Sequence, residues 1–391
     1  MTDLRKNLII FLASLIPAFF PSLCAGQVLC DREFALRSLR EWLYTPPKDT
    51  AVIVFIGDVM MHSAQISGAL QEDGTYCFDG CLNHIAGMLS EADVAVANME
   101  FTLAGKPYTG YPCFSAPDSY PYHVADCGVD VFLTANNHIL DKGSKGLVRT
   151  IEIYEKMKEE RGILYTGCGM DKEAFDKVNP LYIWLKGIKT ALVNFTYGTN
   201  LSGQEAYPSV LRQSDRQGIR NAIQKARAEG AELVIALPHW GQEYVHRHSK
   251  YQEEMALWLV DQGVDLIIGA HPHFVQDRGF FCREDGGKET KTEVIYSLGN
   301  AISNMSATDT QVELMARVKV TRDENGKAVV LPVELEYLWC SLPGRFSGKH
   351  TVIPVKEYIG RPEVWQSRYD YDKMVQSIKR TAAATGIPFN N

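Results

Sequence analysis

The 391-residue chain has no long basic run and no paired CxxC motifs. The first absence removes the electrostatic footprint of a nucleic-acid partner. The formal charge of −7, from 40 basic and 47 acidic residues, points the same way. The second absence leaves no zinc-finger spacing among the cysteines. No low-complexity linker divides the chain, and no repeat of fixed period marks a solenoid or propeller. The N-terminal apolar run "NLIIFLASLIPAFF", residues 7–20, is shorter than the roughly 20 residues that a membrane span requires.

That run has another reading. Arg5 and Lys6 precede it and the small residues of "LCAGQ" follow, which is the order of a secretory signal. Residues 1–26 are therefore expected to be a signal peptide, with a retained N-terminal anchor and membrane association as the alternative. Leu23, where a small residue is needed before Cys24, argues against lipidation. The expected location is exported: periplasmic, extracellular or bound to the cell envelope. Export means an oxidising compartment. The nine cysteines can then pair, and Cys77 and Cys81 in "CFDGC" offer a local bridge.

The chain is 46% hydrophobic, enough for a sizeable core. From residue 51 onward, short apolar runs alternate with helical patterns. Strands are expected at "AVIVFIG", "DVAVAN", "VDVFLTA", "AELVIALPHW" and "VDLIIGAHPH", with two more around Lys186-Gly187. Helices are expected near 81–92, 119–127, 144–160 (capped by Ser144), 212–229 and 250–262. Continuous apolar strands between helices describe a sheet buried on both faces. From about 274 the pattern turns β-rich, with an Asn-Gly hairpin signal in "RDENGK" and a last helix over 370–384.

Function in α/β folds gathers where strands end. Here the apolar runs end in Asp58, in Asn98 and Glu100, in Asn136, Asn137 and His138, in His239 and Trp240, and in His271 and His273. Each set has a bland account. Asp58 would cap a helix, the two asparagines would shape a turn, His239 and Trp240 would be a packed pair, and "HPH" would be a solvated loop. Five such endings together form a pattern of ligand types for zinc, manganese or iron. Two such ions can clamp a phosphoryl group and generate hydroxide, with Glu100 or Asp58 bridging them. His138, beside the metals, is the candidate proton donor. His84, His123, His246 and His248 read as ordinary histidines.

The motifs "GDVM" (57–60), "ANME" (97–100), "TANNHILDKG" (134–143), "GCG" (167–169), "HWGQEY" (239–244), "IIGAHPH" (267–273) and "YSLGN" (296–300) occur in that order. Over residues 51–305 the chain resembles the CapA family of bacterial capsule and poly-γ-glutamate synthesis proteins, a branch of the calcineurin-like metallophosphoesterases. The resemblance implies a four-layered α/β/β/α sandwich, with residues 50–305 as the core and 306–391 as a β-rich extension packed on the same domain. It implies two divalent metal ions, Mn, Fe or Zn. Asp58 and His273 would go to the first, Asn137, His239 and His271 to the second, and Glu100 would bridge. His138 would act beside the metals, Asp141 would orient it, and Asn300 would line the pocket with Asn98, Asn136 and His62. Where the phosphoesterase pattern places a histidine two residues after the aspartate, this chain has Met60, with His62 two further on.

Three functions compete. The first is a metal-dependent hydrolase of phosphoester or related bonds in a surface polymer. The second is a non-catalytic factor that holds an anionic polymer near a capsule synthase or exporter. The third is a nucleotidase, which lacks an aromatic pair placed for a base, since Tyr244 and Trp240 read equally as core.

Overall fold

The computed structural model describes residues 49–201, 207–285 and 288–389. Residues 1–26, read above as a signal peptide or anchor, lie outside the described residues. Among the described residues no helix is long and apolar enough to cross a membrane.

In chain order the strands are β1 (Ala51–Val59), β2 (Val94–Met99), β3 (Val131–Leu133), β4 (Leu164–Thr166), β5 (Cys168–Gly169), β6 (Leu181–Leu185), β7 (Ile188–Thr196), β8 (Ser209–Val210), β9 (Leu233–His239), β10 (Leu266–Ile268), β11 (Arg278–Asp285), β12 (Lys288–Ile295), β13 (Val312–Arg322), β14 (Ala328–Val330), β15 (Glu334–Ser341) and β16 (Thr351–Pro354). The helices are α1 (Ser63–Ala69), α2 (Ala86–Ser90), α3 (Ser119–Asp126), α4 (Gly143–Arg161), α5 (Lys172–Val178), α6 (Arg216–Ala228), α7 (Lys250–Asp261), α8 (Val355–Tyr358) and α9 (Arg368–Thr385).

Two large sheets result. One has the order β16-β15-β13-β1-β2-β3-β4, with β14 alongside β13. Its strands β1 to β4 are parallel, and β13 joins β1 antiparallel. The other runs β11-β12-β10-β9-β7-β6, with β7, β9, β10 and β12 parallel.

The layering follows from alternation along the strands, whose successive side chains face opposite sides. Ile53 and Phe55 of β1 pack between the sheets against Leu192 of β7 and Leu233, Ile235 and Leu237 of β9. Val54 and Ile56 face outward into a layer with Tyr120 and Val124 of α3 and Leu147, Ile151 and Tyr154 of α4. On the far side, Ala191 and Val193 of β7 and Val234 and Ala236 of β9 meet Ile219 and Ile223 of α6 and Met255 and Leu259 of α7. The unit from Ala51 onward is thus an α/β/β/α sandwich. Strand β13 lies beside β1 inside the first sheet, and α9 adds Met374 and Ile378 to the layer between the sheets.

Three expectations are corrected. Ser144 does not cap α4: the cap position is Lys142, which makes no side-chain cap bond, and Ser144 already lies within the helix. Cys77 and Cys81 are free thiols. Cys81 is instead buried in the apolar layer beneath α1 and α3, and burial pushes its thiol up to about 12. Helix α6 starts at Arg216, later than 212, because the Asp215 side chain accepts a hydrogen bond from the Gly218 N–H at 2.8 Å.

The C-terminal helix is tied down by charge. Buried Asp309 accepts hydrogen bonds from Arg380 at 2.7 Å and from His246 at 3.2 Å. Burial alone would raise this carboxyl, but His246, Arg380 and Ser377 outweigh it and hold it down to about 2. A depressed carboxyl contributes stability above its unfolded value near 3.8 and loses it as pH falls toward 2. Arg380→Ala should therefore cost about 1 kcal/mol at pH 7, a modest figure because solvent reaches the arginine. In urea unfolding the deficit should shrink as the pH is lowered from 4 to 2.

Candidate metal centre

The candidate residues follow the C-terminal ends of parallel strands in both sheets. Those ends are held together by backbone contact. Asp58 N–H donates to the Gly299 carbonyl at 3.0 Å, and Ile302 N–H donates to the Asp58 carbonyl at 3.2 Å. A Cβ on Gly57 would lie 2.0 Å from the Gly299 carbonyl oxygen, so only glycine permits this approach. The Gly57 N–H donates to Glu313 at 2.7 Å.

A second clasp lies one strand over. The Asn194 carbonyl oxygen, on β7, accepts from the N–H groups of Thr134 and Ala135 at 3.1 and 2.8 Å, and its amide donates to the Leu237 carbonyl at 2.7 Å. One buried side chain thus joins the loop after β3 to two strands of the other sheet. Beside it, Gly167 has φ +114, and a Cβ there would stand 2.3 Å from Asn194 Oδ1.

On this frame the site assembles. Asp58 is fully buried, accepts from Asn98 Nδ2 at 2.7 Å and lies 3.3 Å from His273 Nδ1. His273 Nδ1 also donates to Asn300 Oδ1 at 2.9 Å, which turns Nε2 toward Glu100, 3.8 Å from Oε1. His239 Nε2 donates to Asn137 Oδ1 at 2.7 Å, and its Nδ1 accepts from Asn98 at 3.2 Å. The His271 ring lies tilted against those of His239 and His273, with centroids 4.8 and 5.9 Å away. His271 and His273 both have positive φ, 99° and 55°. Such backbone strain in non-glycine residues is characteristic of functional loops.

Glu100 sits at the centre. His138 Nε2 and His239 Nε2 are each 3.9 Å from its Oε1, too far for hydrogen bonds. Both carboxylate oxygens are buried with no hydrogen-bond partner, and so is His271 Nδ1. Burial, then the charges of Asp58 and Glu243, drive the Glu100 carboxyl well above its ordinary value. Burial and the neighbouring histidines push His239 and His271 well down, so both imidazoles are neutral, the form that ligates metal. For His273 burial pulls downward, but the hydrogen bond and charge of Asp58 outweigh it, and its value is raised.

Two groups of ligand atoms lie within 4.8 Å of one another: Asp58, Glu100 and His239, and Glu100, His271 and His273. Glu100 belongs to both. The donor chemistry and the unpartnered atoms fit the binding of divalent cations.

The remaining predicted residues surround this cluster. His138 Nδ1 donates to Asp141 Oδ2 at 2.7 Å, and the same oxygen accepts from the Phe114 N–H at 2.7 Å. Asn136 shapes the turn: its amide donates to the Met99 carbonyl at 2.8 Å, and its oxygen accepts from the His138 N–H at 3.2 Å. Met60 is buried in the outer apolar layer. His62 stands at the start of α1, with Nδ1 accepting from the Asn304 N–H at 3.2 Å. Burial lowers it to about 4 despite its bond to Gln65. It belongs to neither ligand group.

Several participants escaped the sequence reading. Asn194 had a signal, a polar residue in the apolar run "KTALVNF". Asn200, whose N–H donates to the Asn137 carbonyl at 2.8 Å, lies in a loop without pattern. Glu243 lies close enough to press on the charges of Glu100 and His273, and Tyr197 packs at a tilt against His271 with centroids 4.5 Å apart. Neither follows an apolar run directly.

The fold and site define a two-sheet α/β/β/α protein with a buried histidine–carboxylate cluster at its strand ends. The profile of a family described as the bacterial capsule synthesis protein PGA_cap matches residues 52–305, and the chain belongs to that family. The chain is 27% identical to the capsule biosynthesis protein CapA of Bacillus anthracis over 297 residues, covering 73% of this chain and 67% of that protein. It is 24% identical to the PGA biosynthesis protein CapA of Bacillus subtilis (strain 168) over 296 residues, covering 72% and 70%. Among solved structures it is similar to a 5'-nucleotidase precursor from Thermus thermophilus, with a TM-score of 0.43 at 12% identity, covering 85% of this chain and 59% of that one. It is also similar to a calcineurin-like phosphoesterase from Bacillus subtilis, with a TM-score of 0.40 at 14% identity, covering 87% and 98%.

The Asn194 clasp gives a direct test. Asn194→Ala would take this partner from the Ala135 N–H and the Leu237 carbonyl in a buried place, while the Thr134 N–H would keep the Thr166 carbonyl at 2.9 Å. Urea unfolding should show a loss of about 2–4 kcal/mol. Hydrogen exchange of Ala135 should accelerate beyond what global unfolding accounts for. Unchanged protection there would show that the loop is held by other contacts.

Proposed function

We propose that the protein is an exported metal-dependent hydrolase of phosphoester or related bonds in capsule or surface-polymer synthesis. The observation that carries the reading is Glu100, a carboxylate with both oxygens buried and unpartnered among three imidazole nitrogens at 3.8–3.9 Å. Leaving such a group unpaired costs several kcal/mol, and divalent cations are the partners that its neighbours select. Asp58, Asn137, His239, His271 and His273 would complete their shells. Bound there, the ions would polarise the scissile bond and lower the pKa of a water to form the nucleophile.

The chain's own residues supply the rest. Asp141 fixes the His138 ring through Nδ1, so Nε2 faces Glu100 and the reacting centre. Protonated on Nε2, His138 would give its proton to the leaving oxygen. Phe114 packs edge-on against the His138 imidazole, with ring centroids 4.6 Å apart. Asn98 orients both Asp58 and His239 through one amide. The substrate class is an anionic surface polymer or its phosphoester precursor, handled beside the synthase or exporter. Residues 1–26 would direct export or anchor the chain.

One observation favours the non-catalytic alternative. Met60 occupies the position of a ligand histidine, and its side chain is in the core. By the family pattern the first ion would then have Asp58, Glu100 and His273 and no further histidine from that loop, whereas the ligand atoms within 4.8 Å of one another group Asp58 and Glu100 with His239.

Elemental analysis of protein prepared with manganese or zinc should find close to two ions per chain. No stoichiometric metal would sink the proposal. Asn137→Ala and His239→Ala should each lose metal together with turnover. His138→Ala should keep its metal and lose about 10²–10⁴ in kcat. Turnover unaffected by His138→Ala would remove it as the proton donor.

A further inference from the structure

A cleft of about 350 Å³ lies outside the ligand cluster, lined by Lys106, Lys142, Lys145 and Arg149 with Gly105 and Ser115 on its walls. No acid lines it, although the chain as a whole has a formal charge of −7. Arg149 is anchored: its guanidinium donates to Asp118 at 2.7 and 2.8 Å and to the Leu103 carbonyl. The ammonium groups of Lys106, Lys142 and Lys145 make no hydrogen bond or ion pair among the described residues.

The placement works against stability. Lys142 and Lys145 flank the start of α4, a 19-residue helix with no acidic residue in its first turn. Cations there oppose the helix dipole and repel one another. Local rules broken without compensation mark function more often than accident. The cleft is also shaped. Lys142, Lys145 and Arg149 share one face of α4 at spacings of three and four. A Cβ on Gly146 would fall 2.5 Å from the Lys142 Cβ, so glycine is what lets the lysine stem cross the helix. The cleft adjoins the metal centre through two segments. Phe114 and Asp141, which hold His138, are followed directly by Ser115 and Lys142 on its wall.

We propose that this cleft binds a chain of spaced anionic groups, carboxylates or phosphates, as a site separate from the metal centre. Three free ammonium groups spread over a cleft of this size suit several charges at intervals better than a single ion. The site goes beyond the hydrolase reading and does not require it.

The test is calorimetric titration of the full chain at low salt with three probes: inorganic phosphate, linear tripolyphosphate and a short glutamate oligomer. One of the two multi-anionic probes should bind at least tenfold more tightly than phosphate. Its affinity should fall steeply with added salt, and which probe binds distinguishes phosphate from carboxylate as the natural group. The triple substitution Lys106→Gln, Lys142→Gln, Lys145→Gln should weaken that probe at least tenfold. Lys145→Gln alone, at an exposed position, should weaken it severalfold and guards against a folding defect in the triple variant. His239→Ala should leave this binding intact even where metal is lost, so the two proposals fail separately. Equal affinity for phosphate and the longer anions, no binding by any probe, or binding unchanged in the lysine variants would overturn the inference.

Discussion

The structure turns on two carboxylates buried together. Asp58 and Glu100 are both fully excluded from solvent, and Coulomb repulsion between them is felt strongly by Glu100. Asp58 is satisfied by an amide, a backbone N–H and a histidine. Glu100 is satisfied by nothing. A fold keeps such a pair ionised only if something positive offsets it. The neighbours on offer are imidazoles, two of which are pushed toward neutrality. Neutral donors around a partnerless carboxylate are poor company for an anion and good company for a divalent cation.

The strand-end residues were legible because the physics that places them is visible in the sequence. A parallel strand buried on both faces reads as an apolar run, and a polar residue just after it stands at the sheet's edge. Asp58, Glu100, His138, His239 and His271 all carry that signal. So do the layers, since alternating helical and apolar segments leave few architectures. What the sequence could not show is how the two sheet edges meet. The Gly57–Gly299 approach and the Asn194 clasp join segments far apart in the chain. Glu243, Asn200 and Tyr197 reach the site from loops, where no periodicity operates. Ser144 misled for a local reason: its residue type suits a cap, but the turn from Leu140 to Gly143 starts the helix one residue early.

The same loop serves two tasks. In "TANNHILDKG", Asn137 and His138 face the cluster, Asn136 builds the turn, and Asp141 is shared between His138 and the Phe114 backbone. Lys142 then turns away into the basic cleft. Negative and positive regions are thus separated by a single peptide bond. Were the lysine ammonium to fold back on Asp141, it would compete for the carboxylate that fixes the His138 ring. Gly146 directs the stem the other way.

Division of the ligand set between sheets has an energetic consequence. Asp58 and Glu100 follow strands of the first sheet, while His239, His271 and His273 follow strands of the second. Any ion held by both groups is therefore a cross-link between the layers, at the edge where their backbones already touch. Binding to the folded state alone stabilises it in proportion to the logarithm of ion concentration over the dissociation constant. Without the ion, the same edge bears two crowded carboxylates and two strained histidine backbones. The strain and the repulsion are local, and the Asn194 clasp lies next to them on the same edge. On the proposed reading, metal affinity and the cohesion of the two sheets would be one property measured in two ways.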